Sequence, residues 1–179
     1  EFDHVSTLET EVRERGPFPV QRVIDIAIQL GDALSAVHRA GILHRDVKTQ
    51  NVMRDGDGRL LLTDFGACEL LQGASEPAKS SIGTPLCTAP EVIEGHRATR
   101  QSEVYSLGVL LYRLATGRYP VEGRTLEDVR AAHAQGTRVA IGDARPDLPE
   151  SLADMIARAI HPNRARRFQT AGELRDGFA

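Results

Sequence analysis

The sequence has no tryptophan, and aromatic residues make up only 4% of its 179 positions. Single-stranded nucleic acid is held by stacking bases on such rings, so that kind of platform is missing. A basic surface is missing too. The chain has 22 Lys and Arg against 25 Asp and Glu, interspersed, for a formal net charge of −3, which argues against a nucleic-acid partner. No apolar run approaches the ~18 residues that a membrane helix needs, and there is no secretory signal pattern. Two cysteines, Cys68 and Cys87, do not make a disulfide framework, so a reducing, cytoplasmic compartment is expected, with any membrane anchor lying outside this chain. Lysine occurs only at Lys48 and Lys79. The chain begins at Glu1 rather than Met, which raises the expectation that it is cut from a longer one. What remains is enough Leu, Val, Ile and Ala for a real core, in one domain or one large lobe.

The apolar pattern is mostly helical. Residues 6–15 read as a short helix, with Ser6 and Glu9 at capping-box spacing and Gly16-Pro17 as the stop. Residues 20–40 place Ile24, Ile28, Leu34 and Val37 at roughly helical period before Gly41. Residues 104–117 are nearly all apolar and read as a buried helix ended by Gly117. Three further helices are predicted over 125–135, 150–160 and 170–176. Two short apolar runs flank Asp55-Gly56-Asp57-Gly58, which is a hairpin signal. The same four residues are neither a calcium loop, since the twelfth position is Gly66 rather than Glu, nor a phosphate-binding glycine loop, since a third Gly is absent. Residues 67–88 are polar and patternless, with Ser75, Ser80, Ser81 and Thr84. A stretch of that length is uncommon in a compact domain unless it is functional.

The chemistry concentrates in HRDVKTQNVM, residues 44–53. A loop holding Asp46 and Asn51 leads into one strand of the hairpin, and the returning strand ends in Asp64-Phe65-Gly66. That path brings three oxygen donors and Lys48 toward one point. Hard oxygen donors suit Mg²⁺, which takes few protein ligands beside water and phosphate. Asn51 and Asp64 are the candidate metal ligands. Asp46 then stays available for a hydroxyl proton, and Lys48 can neutralise charge on a phosphoryl group in transfer.

These segments resemble a known family. HRDVKTQN is similar to the protein-kinase catalytic loop, and Asp64-Phe65-Gly66 followed by Ala89-Pro90-Glu91 is similar to its activation segment. The likeness continues through GTPLCTAPE, the YSLGVLLY helix and RFQTAGEL. The chain therefore resembles a bacterial Ser/Thr protein kinase of the eukaryotic-like type, from Glu1 to its end. The resemblance implies a mainly α, α+β lobe in which a small β-hairpin carries the catalytic and metal-binding loops. It implies ATP and Mg²⁺ as cofactors and a protein Ser/Thr as substrate. Asp46 orients the substrate hydroxyl and accepts its proton, Lys48 contacts the γ-phosphate, and Asn51 and Asp64 bind Mg²⁺. Thr84 contacts the catalytic Asp, Met53 lies under the adenine, and Glu1 stands at the hinge. Gly66 lets the chain turn after the metal ligand, beside Phe65. His44 packs beneath that turn, and Glu91 pairs structurally with Arg167. Arg45 can hold a phosphorylated residue of the activation segment, for which Ser80 or Ser81 is the candidate, although both also read as plain solvated serines.

Other parts of the family pattern are missing from these 179 residues. There is no G-x-G-x-x-G, no strand Lys and no partner helix Glu. The expectation is a C-terminal lobe only, spanning residues 1–179 from hinge to last helix. Its missing partner is the N-terminal lobe, without which activity is negligible and an apolar face is left uncovered. Glu103 stands where the family has an Asp that hydrogen-bonds the backbone of the catalytic loop. The extra methylene puts the rigidity of that loop in question. Cys87 and Thr88 stand where Tyr and Met are common, which bears on substrate preference.

Plainer readings stand beside these. The polar set around Asp46 could be a solvated hairpin surface, but the two tripeptides at 64–66 and 89–91 fall in place with it. The cysteines read as spectators without a lowered pKa, the other histidines show no metal-ligand spacing, and Arg164, Arg166 and Arg167 mimic a basic patch. Two other functions compete with the Ser/Thr kinase. A pseudokinase or stand-alone lobe would act as a binding module. A small-molecule phosphotransferase would have no use for the long segment before Glu91.

Overall fold

A computed structural model describes residues 6–70 and 85–179, with the side chains of 67, 69 and 70 left out. Its elements are mostly helical. Helix α1 spans Leu8–Arg15 and α2 spans Val20–Arg39. Strand β1 (Ile42–Leu43) precedes residues 44–51, and β2 (Val52–Arg54) and β3 (Leu60–Leu62) follow them. Strand β4 is Glu69–Leu70. Then come α3 (Pro90–Ile93), α4 (Arg100–Thr116), α5 (Leu126–Ala134), α6 (Ile141–Ala144), α7 (Glu150–Ala159) and α8 (Ala171–Phe178). None of these helices is long and apolar enough to cross a membrane.

Helix α4 is the centre of the core. Residues from Val104 to Leu114, Ser106 and Arg113 excepted, are buried, so the helix is apolar all round, as a central helix must be. It starts four residues before the predicted position 104. The reason is a capping box: Thr99 Oγ1 accepts the Ser102 N–H, and Ser102 Oγ accepts the Thr99 N–H. It ends as expected at Gly117, whose φ of 72° places it in the left-handed region that Gly enters without strain. Helix α7 crosses α4 at Gly108, where an added Cβ would lie 2.7 Å from Ala159 Cβ and 2.8 Å from Ile160 Cγ2.

Helix α2 turns Val23, Ile26, Ala27, Leu30 and Leu34 into the same core at helical spacing. Its Gly31 meets α8, where an added Cβ would be 2.8 Å from Arg175 Cβ. Helix α1 is capped by Thr7, not Ser6. The Thr7 Oγ1 accepts the Thr10 N–H at 3.2 Å, while Ser6 Oγ donates to Glu11 at 3.4 Å. Both residues are good caps, and Thr7 also bridges to Met53 of β2, which settles the register.

The expected hairpin is present, with Val52 opposite Leu62, Met53 opposite Leu61 and Arg54 opposite Leu60. Its turn is built on Asp55, whose carboxylate accepts the N–H groups of Asp57 (3.0 Å) and Arg59 (2.8 Å). That closes the turn as an Asx turn does. A second antiparallel pair, Ile42 with Leu70 and Leu43 with Glu69, was not anticipated. Two residues per strand are too few to show a period of two in sequence. The four-residue helices α3 and α6 escaped for the same reason.

Candidate active site

The candidate catalytic stretch leaves β1 through a strained residue. Arg45 has φ of 67°, which costs a side chain with a Cβ about 1–2 kcal/mol. It is held from outside: the Arg45 N–H donates to Oε1 of Glu103 on α4. The other Glu103 oxygen lies 2.6 Å from His38 Nε2 at the end of α2, and both side chains are buried. The longer carboxylate thus reaches the loop and uses both oxygens. The loop is anchored to two core helices at the point where its backbone is least relaxed.

Asp46 follows. Its Oδ2 takes two donors, Lys48 Nζ at 2.7 Å and Asn51 Nδ2 at 2.8 Å. Asn51 Nδ2 also donates to the Asp46 carbonyl at 2.8 Å. The donor end of the Asn51 amide is therefore spent on Asp46, which leaves its Oδ1 as the outward atom. A short 3-10 turn, Thr49–Asn51, makes this closure possible and feeds β2 directly.

The returning strand is stitched to the same turn. Thr63 N–H donates to the Asn51 carbonyl at 2.8 Å, and Thr63 Oγ1 donates to the same oxygen at 3.1 Å. Asp64 is next, at φ 63° and ψ 63°, a left-handed conformation that Asp tolerates better than most residues. A second 3-10 turn, Phe65–Ala67, carries the chain away. His44 is fully buried and links the two loops. Its Nε2 faces the Thr63 carbonyl at 2.9 Å, and its Nδ1 accepts the Asp46 N–H at 3.3 Å, so the proton belongs on Nε2. The ring edge meets Phe65 at 4.7 Å between centroids. Arg45 and Asp64 are the two non-glycine positive-φ positions among the described residues. Both sit in these linked loops, where strain is stored at functional sites.

The oxygen donors fit a magnesium ion. Asp64 is exposed, and no hydrogen bond or ion pair among the described residues occupies its carboxylate. At Gly66 an added Cβ would come within 3.3 Å of Asp64 Oδ1, so the glycine leaves that oxygen clear. Asn51 Oδ1 supplies a second hard donor. A magnesium ion held there would take these two protein oxygens and complete its shell with water and phosphate. Met53 lies on β2 between Thr7 and Leu61. Glu1, Thr84, Ser80 and Ser81 lie outside the described residues.

Sequence reading missed a second layer. Thr49 Oγ1 donates to Glu9 Oε2 at 2.5 Å, and Arg113 Nη2 of α4 donates to Glu9 Oε1 at 2.8 Å. No local signal marks these residues, because Glu9 and Arg113 are 104 positions apart. The cysteines are free. Burial pushes the Cys87 thiol up to about 12, and burial with the Glu103 and Asp64 charges raises Cys68. Neither is a reactive thiolate.

Arg167 leaves the neighbouring arginines and turns inward. Its guanidinium meets Glu91 in two parallel bonds of 2.7 and 2.8 Å. It also donates to the carbonyls of His161 (2.6 Å), Pro162 (3.0 Å) and Gln101 (3.1 Å) and lies over Tyr105. The charge is buried with its donors satisfied, which is the condition under which a buried pair is tolerated.

Comparison with known proteins places the chain in a family. The protein kinase domain family matches residues 1–177. The chain is 40% identical to the serine/threonine-protein kinase PknK of Mycobacterium tuberculosis over 176 residues, covering 96% of this chain and 16% of that protein. A probable serine/threonine-protein kinase of Clostridium perfringens is 31% identical over 175 residues, 97% of this chain and 26% of its own length. The serine/threonine-protein kinase PrkC of Bacillus subtilis is 29% identical over 175 residues, with 97% and 27% covered. The chain thus spans about a quarter or less of these relatives' lengths. With a matching family model over nearly all of its residues, the chain belongs to the protein kinase family, among the bacterial eukaryotic-like Ser/Thr kinases.

Proposed function

We propose that this chain is the C-terminal lobe of a Ser/Thr protein-kinase catalytic domain, running from hinge to last helix. Completed by an N-terminal lobe, it transfers the γ-phosphate of ATP to a protein Ser or Thr hydroxyl. The observation that carries this reading is the closed set Asp46, Lys48 and Asn51, joined through Thr63 to the strand that delivers Asp64. Phosphoryl transfer asks a protein chiefly for positioning and electrostatics. One Asp46 oxygen is held by Lys48 and Asn51 while the other is left to orient the substrate hydroxyl and take its proton. Lys48, tethered 2.7 Å from Asp46, brings a positive charge to where the transferring phosphoryl group gathers negative charge. Asn51 Oδ1 and Asp64 would hold Mg²⁺, which neutralises phosphate oxygens when bound. Met53 would underlie the adenine, Glu1 would face its edge, and Thr84 would contact Asp46. Arg45 would receive a phosphate on Ser80 or Ser81. A reducing cytoplasmic location is supported by two free thiols.

The lobe alone has negligible activity in this reading, since ATP is clamped between two lobes. Leu61 and Phe65, 49% and 48% exposed, support an uncovered apolar face beside the site. The test is transfer of labelled γ-phosphate from MgATP to a generic basic protein. The full-length protein should transfer it, Asp46→Asn should abolish transfer, and residues 1–179 alone should show none. Robust transfer by residues 1–179 would refute the two-lobe reading. A full-length protein that binds nucleotide yet transfers nothing would leave a binding module as the better account.

A further inference from the structure

The first turn of α1 touches both halves of the site. Thr7, its cap, bridges to Met53 on the strand proposed to face the nucleotide. One turn on, Glu9 receives the hydroxyl of Thr49, inside the catalytic stretch and two residues before Asn51. Arg113, from the central helix, holds Glu9 from the other side through Nη2 (2.8 Å) and Nε (3.4 Å), and its Nη1 donates to the Gly117 carbonyl at the end of α4. Glu9 is therefore fixed before the loop engages it. Thr49 is buried and so has little water to compete for its proton. Its side chain points outward to Glu9, while that of Asn51, in the same 3-10 turn, points inward to Asp46. The turn is pulled from both ends.

We propose that Glu9 and Thr49 are positioning residues for phosphoryl transfer, tethering the turn that presents Asn51 and Asp46 to the helix that also carries the nucleotide-side strand. This rests on the kinase reading above. The tether is charge-assisted. Burial alone raises the Glu9 carboxyl, but hydrogen bonds from Arg113 and Thr49 and the Arg113 charge outweigh it, so the group sits below its ordinary 4.5. It is an anion at neutral pH, and hydrogen bonds to a charged acceptor are the stronger kind. The Arg113 pair gives the anion a fixed address. The Thr49 bond is then the connection through which the loop is held.

Thr49→Val separates this role from a merely structural one, because it removes the loop's donor and leaves Glu9 with Arg113. In the full-length protein, kcat should fall about tenfold, while KM for MgATP and for the protein substrate stays within about twofold, the pattern of a misplaced reacting group rather than lost binding. Amide hydrogen exchange across residues 46–51 should quicken by a similar factor. Thr49→Ser, which restores the hydroxyl, should return both readouts to the parent. Parental kcat in Thr49→Val overturns the positioning role even if exchange has changed. Unchanged exchange overturns the tether itself. A parent that transfers no phosphate counts against the kinase reading instead, and the exchange comparison still decides the tether.

Discussion

Glu103 accepts the backbone N–H of Arg45 across 58 positions of sequence, holding a left-handed residue at the head of the catalytic loop. The other oxygen of the same carboxylate is taken by His38. Truncation therefore strands two buried groups at once, an N–H and an imidazole. Glu103→Ala should cost about 3 kcal/mol, since a buried polar group without a partner costs ~1–3 kcal/mol. Glu103→Gln should cost only about 1 kcal/mol, because the amide oxygen still accepts from Arg45 and its NH₂ can donate to His38. Urea denaturation midpoints would measure both. Equal losses would mean that the charge matters and the hydrogen-bond count does not.

Asp64 combines a candidate metal ligand with a left-handed backbone. Asn shares that backbone tolerance and nearly the same shape but lacks the charge. Asp64→Asn in the full-length protein should leave the thermal midpoint within about 2 °C of the parent, since 1 kcal/mol corresponds to ~2–8 °C depending on domain size. Its activity should fall about a hundredfold or more, with partial recovery at high Mg²⁺. Loss of stability in step with activity would point to a structural carboxylate.

Acid should destabilise the fold in two windows. Burial, then the Arg138 charge, pushes His133 below its ordinary 6.5, with its ring beside Tyr105. The unfolded chain then binds the proton more readily than the folded one. Stability is full above pH 6.5 and declines as pH falls from there toward the lower folded value. Glu9 and Glu11 act in the second window. Burial raises both, but Arg113 and Thr49 at Glu9, and Arg22 and Arg54 at Glu11, bring them below 4.5. Their contribution is present above pH 4.5 and is lost as pH falls further. Thermal unfolding between pH 7.5 and 5.5 should show a smaller slope for His133→Leu than for the parent, and the two should converge in slope below pH 4.5.

Gly108 sets the distance between α4 and α7. Because a Cβ there would fall 2.7 Å from Ala159 Cβ, Gly108→Ala should destabilise by about 1–3 kcal/mol, as overpacking does, despite alanine's better helix propensity. The double variant with Ala159→Gly should recover part of that loss. A stabilised Gly108→Ala, read by denaturant titration, would show that the two helices can separate freely.

The six longer helices and the hairpin of β2 and β3 were legible because each has a local cause: apolar periodicity, a closing glycine, or an aspartate that folds its own turn. The cap of α1 was misassigned to Ser6 because Ser6 and Thr7 are equally good caps, and only the bridge from Thr7 to Met53 chooses between them. Asp46, Asn51 and Asp64 stand out in the sequence as a candidate set because a hairpin returns the third toward the first two, and the structure links Asn51 to Asp46 and to Thr63 beside Asp64. Their supports do not stand out. His38 with Glu103 spans 65 positions, and Glu9 with Arg113 spans 104. Such pairs are made by packing, and no neighbour in sequence announces them. The role of Glu103 was readable, but its reach was not, since one methylene decides reach only once α2 and α4 are in place.

The bond between Glu91 and Arg167 also sets a clock. The carboxylate is synthesised 76 residues before its guanidinium. At ~5–20 residues per second, it waits about 4–15 s on the ribosome for its partner. Over the same interval α2 lacks α8, the helix that closes on Gly31. The nascent chain thus carries residues 44–51 well before it can bury the elements around them, and its final packing is a late event of synthesis. Chaperone demand should peak in that interval, set by the order of the chain rather than by the stability of the finished fold.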